Sequence, residues 1–159
     1  MTLLVTGASG QLGRLVLDSL IAGGTAPAEI RAGTRRPEAL ATYAEQGVDV
    51  VHLDYDDHAS VKGAVAGADR VLLISGSEPG QRTRQHATVI DAAAAEGVDL
   101  LVYTSLFHAD TSSLGLAPEH RATEHLIAES GDLAENDPTL ARLIGRPTTP
   151  LVDSLRTLG

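Results

Sequence analysis

The stretch Leu3-Leu4-Val5-Thr6-Gly7-Ala8-Ser9-Gly10-Gln11-Leu12-Gly13 decides the fold. Its apolar opening reads as a short strand, and Gly7, Gly10 and Gly13 follow it at GxxGxxG spacing. Residues 11–22 then place Leu12, Leu15, Val16, Leu17, Leu20 and Ile21 near helical spacing, and Gly23-Gly24 ends the run. Strand, glycine-rich turn and helix in that order open a βα unit, and the unit repeats downstream. Segments 30–33, 48–53, 71–74 and 100–103 read as further strands, with helices over 37–46, 56–65, 81–95 and 118–129. Pro37 suits the first turn of a helix, while Gly47 and Gly97 stop the helices before them. The run 71–74 is apolar throughout, as a strand covered on both faces should be. Repeated βα units predict an α/β fold: a Rossmann-like, doubly wound parallel sheet of about five strands over residues 1–130. The pattern stops near Gly131. Residues 131–159, with Pro138, Pro147 and Pro150, read as a short C-terminal tail with short helices over 138–144 and 151–158.

The first turn carries the chemistry. A dinucleotide pyrophosphate needs a tight turn at Gly7, a bare backbone at Gly10 and close helix packing at Gly13. The helix that opens there offers unpaired N–H groups and the positive end of its dipole. An NAD site places an acid about 20 residues further on, to accept from the ribose 2′-hydroxyl. That position falls in Gly33-Thr34-Arg35-Arg36-Pro37, which holds no acid and two arginines. Guanidinium groups suit a 2′-phosphate through charge-assisted hydrogen bonds. NADP(H) is therefore expected over NAD(H). Asp54, at the end of the third strand, either reaches an adenine edge or caps the next helix.

Composition narrows the function. The 159 residues carry 12 basic and 21 acidic side chains, a net charge of −9, and both halves share the excess. No basic patch is present to gather phosphates along DNA or RNA, so a nucleic-acid partner is not expected. The absence of cysteine excludes disulfides, thiolate chemistry and Cys-ligated metals. His120 and His125 stand five apart, off the spacing that sets two ligands on one helix face, and no metal site is expected. No apolar run reaches membrane-spanning length. The start Met1-Thr2-Leu3-Leu4 lacks the basic region of a signal peptide, which makes the cytoplasm the expected compartment.

These segments resemble the NmrA-like group of atypical short-chain dehydrogenases, and within it the type 2 NAD(P)H:quinone oxidoreductases. The resemblance rests on residues 5–13, on 33–37, on 47–54, on Asp69-Arg70-Val71-Leu72-Leu73-Ile74-Ser75, on Tyr103-Thr104-Ser105 and on Glu119-His120-Arg121-Ala122-Thr123-Glu124. It implies NADPH binding and, in enzymatic members, hydride transfer to a quinone; the alternative is a non-catalytic NADP(H)-binding redox sensor. The cofactor set then comprises Gly7, Ser9, Gly10, Gln11, Leu12, Gly13, Arg35, Arg36, Asp54, Ser75, Gly76, Tyr103, Thr104 and Ser105. The Tyr-x-x-x-Lys pair of standard members is replaced by His120 and Glu124. His120 is thus either an acid candidate, with Ser105 beside it, or a surface or capping residue. Phe107 either lines the nicotinamide pocket or belongs to the core. Residues 140–151 resemble the family's C-terminal tail, which implies a chain shortened internally near Gly131 and missing the substrate-side subdomain. If no sixth strand follows, the fifth is an edge, to be covered by the tail (Leu140, Leu143, Ile144, Leu151 and Leu155) or by a second copy in a homodimer.

Overall fold

The structure, a computed structural model, describes residues 1–130. The tail, its expected helices and its proposed contact face lie outside the described residues. Strands β1 (Leu3–Val5), β2 (Ile30–Thr34), β3 (Asp49–His52), β4 (Arg70–Leu73) and β5 (Leu100–Tyr103) form one sheet in the order β3-β2-β1-β4-β5. All pairings are parallel, with Leu3 opposite both Ile30 and Arg70, Arg31 opposite Asp49, and Arg70 opposite Leu100. Helices α1 (Gln11–Ala22), α2 (Ala41–Glu45), α3 (His58–Val65), α4 (Arg82–Glu96) and α5 (Ala117–Glu129) connect or follow them. The expected α/β, Rossmann-like fold is the fold observed.

Period-two alternation in the strands builds a core on each face. Leu4, Val71, Leu73 and Leu101 point one way and pack with Val61, Val65, Val89, Ile90 and Ala93 of α3 and α4, with Leu126 and Ile127 of α5 against them. Val5, Ile30 and Ala32 point the other way, onto Leu17 of α1 and onto Leu40 and Tyr43. Short strands suffice because each is covered on both sides. Leu12 and Leu15 of α1 stay exposed, so the apolar stripe read from the sequence is wider than the face that is buried.

Two helices differ from their sequence reading. Segment 37–46 is a 3-10 turn over Pro37–Leu40 followed by the short α2, not one helix. The helix expected from 56 starts at His58, because the Asp57 side chain accepts from the N–H groups of Ala59 and Ser60 and caps it. At the other end of α3, Arg31 donates to the carbonyls of Ala64 and Ala66 and pairs with Asp49 across β2 and β3. Among the described residues, no helix is long and apolar enough to cross a membrane.

β1 lies between β2 and β4, so the chain crosses β1 on its way from β3 to β4. Sheets of this kind bind ligands at such a switch point, outside the carboxyl ends of the strands.

Candidate functional site: a cleft at the switch point

A cleft of about 370 Å3 opens at the carboxyl ends of β1 and β4. Its wall is the glycine turn. Gly7 sits at φ +58°, a conformation few side chains adopt, and its carbonyl accepts from the Gly10 N–H at 3.0 Å. A Cβ on Gly13 would stand 2.5 Å from the Gly7 oxygen and 2.6 Å from the Ala8 backbone, so only glycine lets α1 pack this closely on the turn. Gly10 is the N-cap of α1, with no capping side chain and no acid in the first turn. The first N–H groups of α1 are therefore left for an anion. Arg14 braces the turn from behind, donating to the carbonyls of Ser9 and Ala39.

The rim comes from β2. The Ser9 and Thr34 hydroxyls are 2.7 Å apart, and Thr34 accepts from the N–H of Arg36. These bonds tie the glycine turn to the segment that carries the arginines. Arg35 and Arg36 both line the cleft and are exposed. The Arg35 Nη1 donates to the Glu78 carboxylate at 3.3 Å. Asp54 also lines the cleft, and its carboxylate accepts from the Asp56 N–H; the helix cap is Asp57. Asp56 is held below the usual carboxylate range by hydrogen bonds from Arg84 and Gln85.

The floor is the backbone of residues 74–76, pinned by side chains from several elements. The Ile74 N–H donates to the Thr6 hydroxyl at 3.0 Å, and the Tyr55 hydroxyl donates to the Ile74 carbonyl at 2.7 Å. Burial pushes the Tyr55 phenol up to about 12, so it remains a hydroxyl. The Ser75 N–H donates to the Thr104 hydroxyl at 2.9 Å. The Gly76 N–H donates to His86 Nε2 at 3.0 Å, and Arg82 Nε donates to the Gly76 carbonyl at 2.6 Å. Thr123 donates to the Glu119 carbonyl, which leaves its oxygen to accept from His86 Nδ1. This network assigns a neutral His86 with its proton on Nδ1. Burial, reinforced by the nearby charges of His120 and Arg82, pushes His86 down to about 4. Arg82 continues to Glu119 in a largely buried pair at 2.8 Å. Burial pushes Glu119 up, but the Gly80 backbone and Arg82 outweigh it and hold the carboxyl below its usual range.

Of the residues picked out from the sequence, Gly7, Ser9, Gly10, Gln11, Leu12, Gly13, Arg35, Arg36, Asp54, Ser75 and Gly76 line the cleft. Tyr103, Thr104, Ser105 and His120 do not line it; they cluster beyond its floor. His120 is buried, neither on the surface nor capping, with its Nδ1 2.6 Å from the Tyr103 hydroxyl. Burial pushes the Tyr103 phenol up and the His120 imidazole down. Ser105 donates to Glu124. Phe107 is exposed and meets the His108 ring edge-on, so it is not core. Sequence reading missed Thr6, Thr34, Tyr55, Glu78, Gln85 and His86. Thr6 and Thr34 stand inside segments that the sequence singles out; the other four carry no local signal.

Fold and cleft together define a Rossmann-type dinucleotide-binding domain. A family described as NAD(P)H-binding matches residues 7–136, and the chain belongs to it. Quinone oxidoreductase 2 of Escherichia coli (strain K12) is 51% identical over 128 residues, which are 80% of this chain and 44% of that protein. An NmrA-like family domain-containing oxidoreductase of Aspergillus flavus is 32% identical over 139 residues, 82% of this chain and 45% of that protein. Among solved structures, the E. coli NADPH-dependent quinone oxidoreductase complexed with NADPH superposes with a TM-score of 0.78 at 48% identity, over 82% of this chain and 46% of that one. The Citrobacter sp. triphenylmethane reductase complexed with NADP(H) gives a TM-score of 0.79 at 40% identity, over 83% and 47%. The chain thus spans about half the length of the relatives it matches.

Proposed function

We propose that the chain binds NADP(H) in preference to NAD(H) and serves hydride transfer to a quinone. One observation carries the reading: an open glycine turn and helix start share a cleft with Arg35 and Arg36, and no acid stands at the end of β2. The cofactor, when bound, supplies the hydride. The turn 7–13 offers backbone N–H groups to the pyrophosphate. Arg35 and Arg36 offer guanidinium groups to the 2′-phosphate. Asp54 stands on the adenosine side, and the pinned floor at Ser75 and Gly76 leads toward Thr104 and Ser105. The similar E. coli and Citrobacter proteins, solved with NADPH and NADP(H), support the cofactor assignment. In this reading residues 1–130 are the cofactor-binding unit and 131–159 a tail. The net charge of −9 supports a small-molecule partner rather than a nucleic acid, and the cytoplasm is the proposed compartment.

A second reading, NADP(H) binding without turnover in a redox sensor, draws on the cleft lining, which holds no histidine or lysine, and on the position of Ser105 and His120 beyond it. Titration with NADPH and NADH followed by single-turnover NADPH oxidation with a small quinone tests both. NADPH binding with turnover supports the first, binding alone supports the second, and no binding refutes both.

A further inference from the structure

The Arg35–Glu78 ion pair joins two elements that the sheet keeps apart. Arg35 follows β2, Glu78 stands in the loop between β4 and α4, and β1 with its glycine turn lies between them. Both side chains line the cleft, so the 3.3 Å contact spans its mouth rather than decorating an outer surface. They are 61% and 48% exposed, which leaves the pair weak enough to exchange. Among the described residues, Glu78 pairs with no other cation. A carboxylate and a phosphate monoester are both oxyanions and compete for one guanidinium.

We propose that Glu78 is a specificity-determining residue: its carboxylate masks Arg35, and a 2′-phosphate must displace it. The inference rests on the NADP(H) reading above. A dinucleotide with a bare 2′-hydroxyl carries no charge at that position with which to compete and leaves the pair in place. A 2′-phosphate takes Arg35 and then faces the released carboxylate beside it. Glu78 therefore opposes NADP(H) selectively and narrows the preference that Arg35 creates.

The test is the dissociation constants of NADPH and NADH, by calorimetry at constant ionic strength, for the full chain, Glu78→Gln, Arg35→Gln and the double variant. Glu78→Gln should tighten NADPH about three- to tenfold and move NADH by about twofold or less. In the Arg35→Gln background the gain should shrink to about twofold or less, because no masked guanidinium remains. Far-UV circular dichroism confirms that each variant is folded, as expected for rim substitutions. If Glu78 instead accepts from the ribose hydroxyls, Glu78→Gln weakens both ligands, and the inference is overturned. Unchanged NADPH affinity, or an equal gain in both backgrounds, also overturns it while leaving the NADP(H) reading standing. Absence of NADPH binding by the unaltered chain overturns that reading and this inference with it.

Discussion

His86 makes folding stability depend on pH in a range where few other groups act. The side chain is fully buried, and its Nε2 accepts from the Gly76 N–H in the cleft floor. Burial first, then His120 and Arg82, pushes its pKa from 6.5 to about 4, while Glu119 opposes the change. The unfolded chain therefore takes up a proton near pH 6.5 that the folded chain refuses until about pH 4. Between those values the unfolded state binds more protons, so stability rises with pH and is lost as pH falls. The full gap corresponds to about 3 kcal/mol, and about 2 kcal/mol of it should be lost between about pH 7 and pH 5. His86→Gln is the informative substitution, since its carbonyl can accept from Gly76 and its amide can donate to Thr123 without titrating. Urea unfolding followed by far-UV circular dichroism, at several pH values in that window, gives the stability of both chains. The difference between them should fall by about 2 kcal/mol toward the acid end, with other titrations cancelling. Parallel curves would refute both the neutral assignment and the hydrogen-bond network built on it.

Replacing Arg35 and Arg36 together by alanine should erase at least about a tenfold preference for NADPH over NADH, on the order of 1.5 kcal/mol, read by competitive titration. Gly13→Ala forces a Cβ to within 2.5 Å of the Gly7 carbonyl; even after the helix-propensity gain, it should cost about 1–2 kcal/mol in urea unfolding. β5 is an outer strand of the described sheet, and sedimentation at low micromolar concentration should show either a dimer or a monomer whose residues 131–159 resist protease; a monomer whose residues 131–159 are cut readily contradicts coverage by either a copy or the tail.

The fold was legible because its signals are local. Three strands centre on clear apolar runs, β2 and β3 carry shorter ones, each helix is bounded by a glycine, a proline or an acid, and the glycine turn sits between the first strand and the first helix. The errors fall where local signals compete. The helix reads as starting at Asp56 with Asp54 a candidate cap, and only the hydrogen bonds of Asp57 decide it. Pro37 suits an α-helix and a 3-10 turn equally, and the segment takes the turn, with Leu40 and Tyr43 buried in the core. The site divides the same way. Its glycines and arginines lie within two short segments, so their spacing reveals them. Tyr55 and His86 reach Ile74 and Gly76 from across the sheet and from the next helix. Such contacts depend on strand order, which no window of sequence contains. His120 shows the limit most clearly. On its helix it reads as a surface or capping residue, and only the packing of α5 on the sheet buries it against Tyr103.

Floor and rim use different physics. The floor is held in buried surroundings, mostly by neutral groups: the Tyr55 phenol stays protonated, the His86 imidazole stays uncharged, Thr6 and Thr104 complete the bonds, and the charged member, Arg82, is largely buried against Glu119. Such bonds are insensitive to salt, and the backbone path of residues 74–76 is fixed before any ligand arrives. The rim is charged and exposed, with Arg35 on Glu78 and Arg84 on Asp56. At physiological ionic strength the screening length is about 8 Å, so these exposed charges are tempered by salt while the floor is not. In the proposed reading, shape and orientation at the cleft belong to the floor, and discrimination at the 2′ position belongs to the rim. A change in salt should act on the second and spare the first, and rim substitutions should retune cofactor preference without rebuilding the sheet beneath.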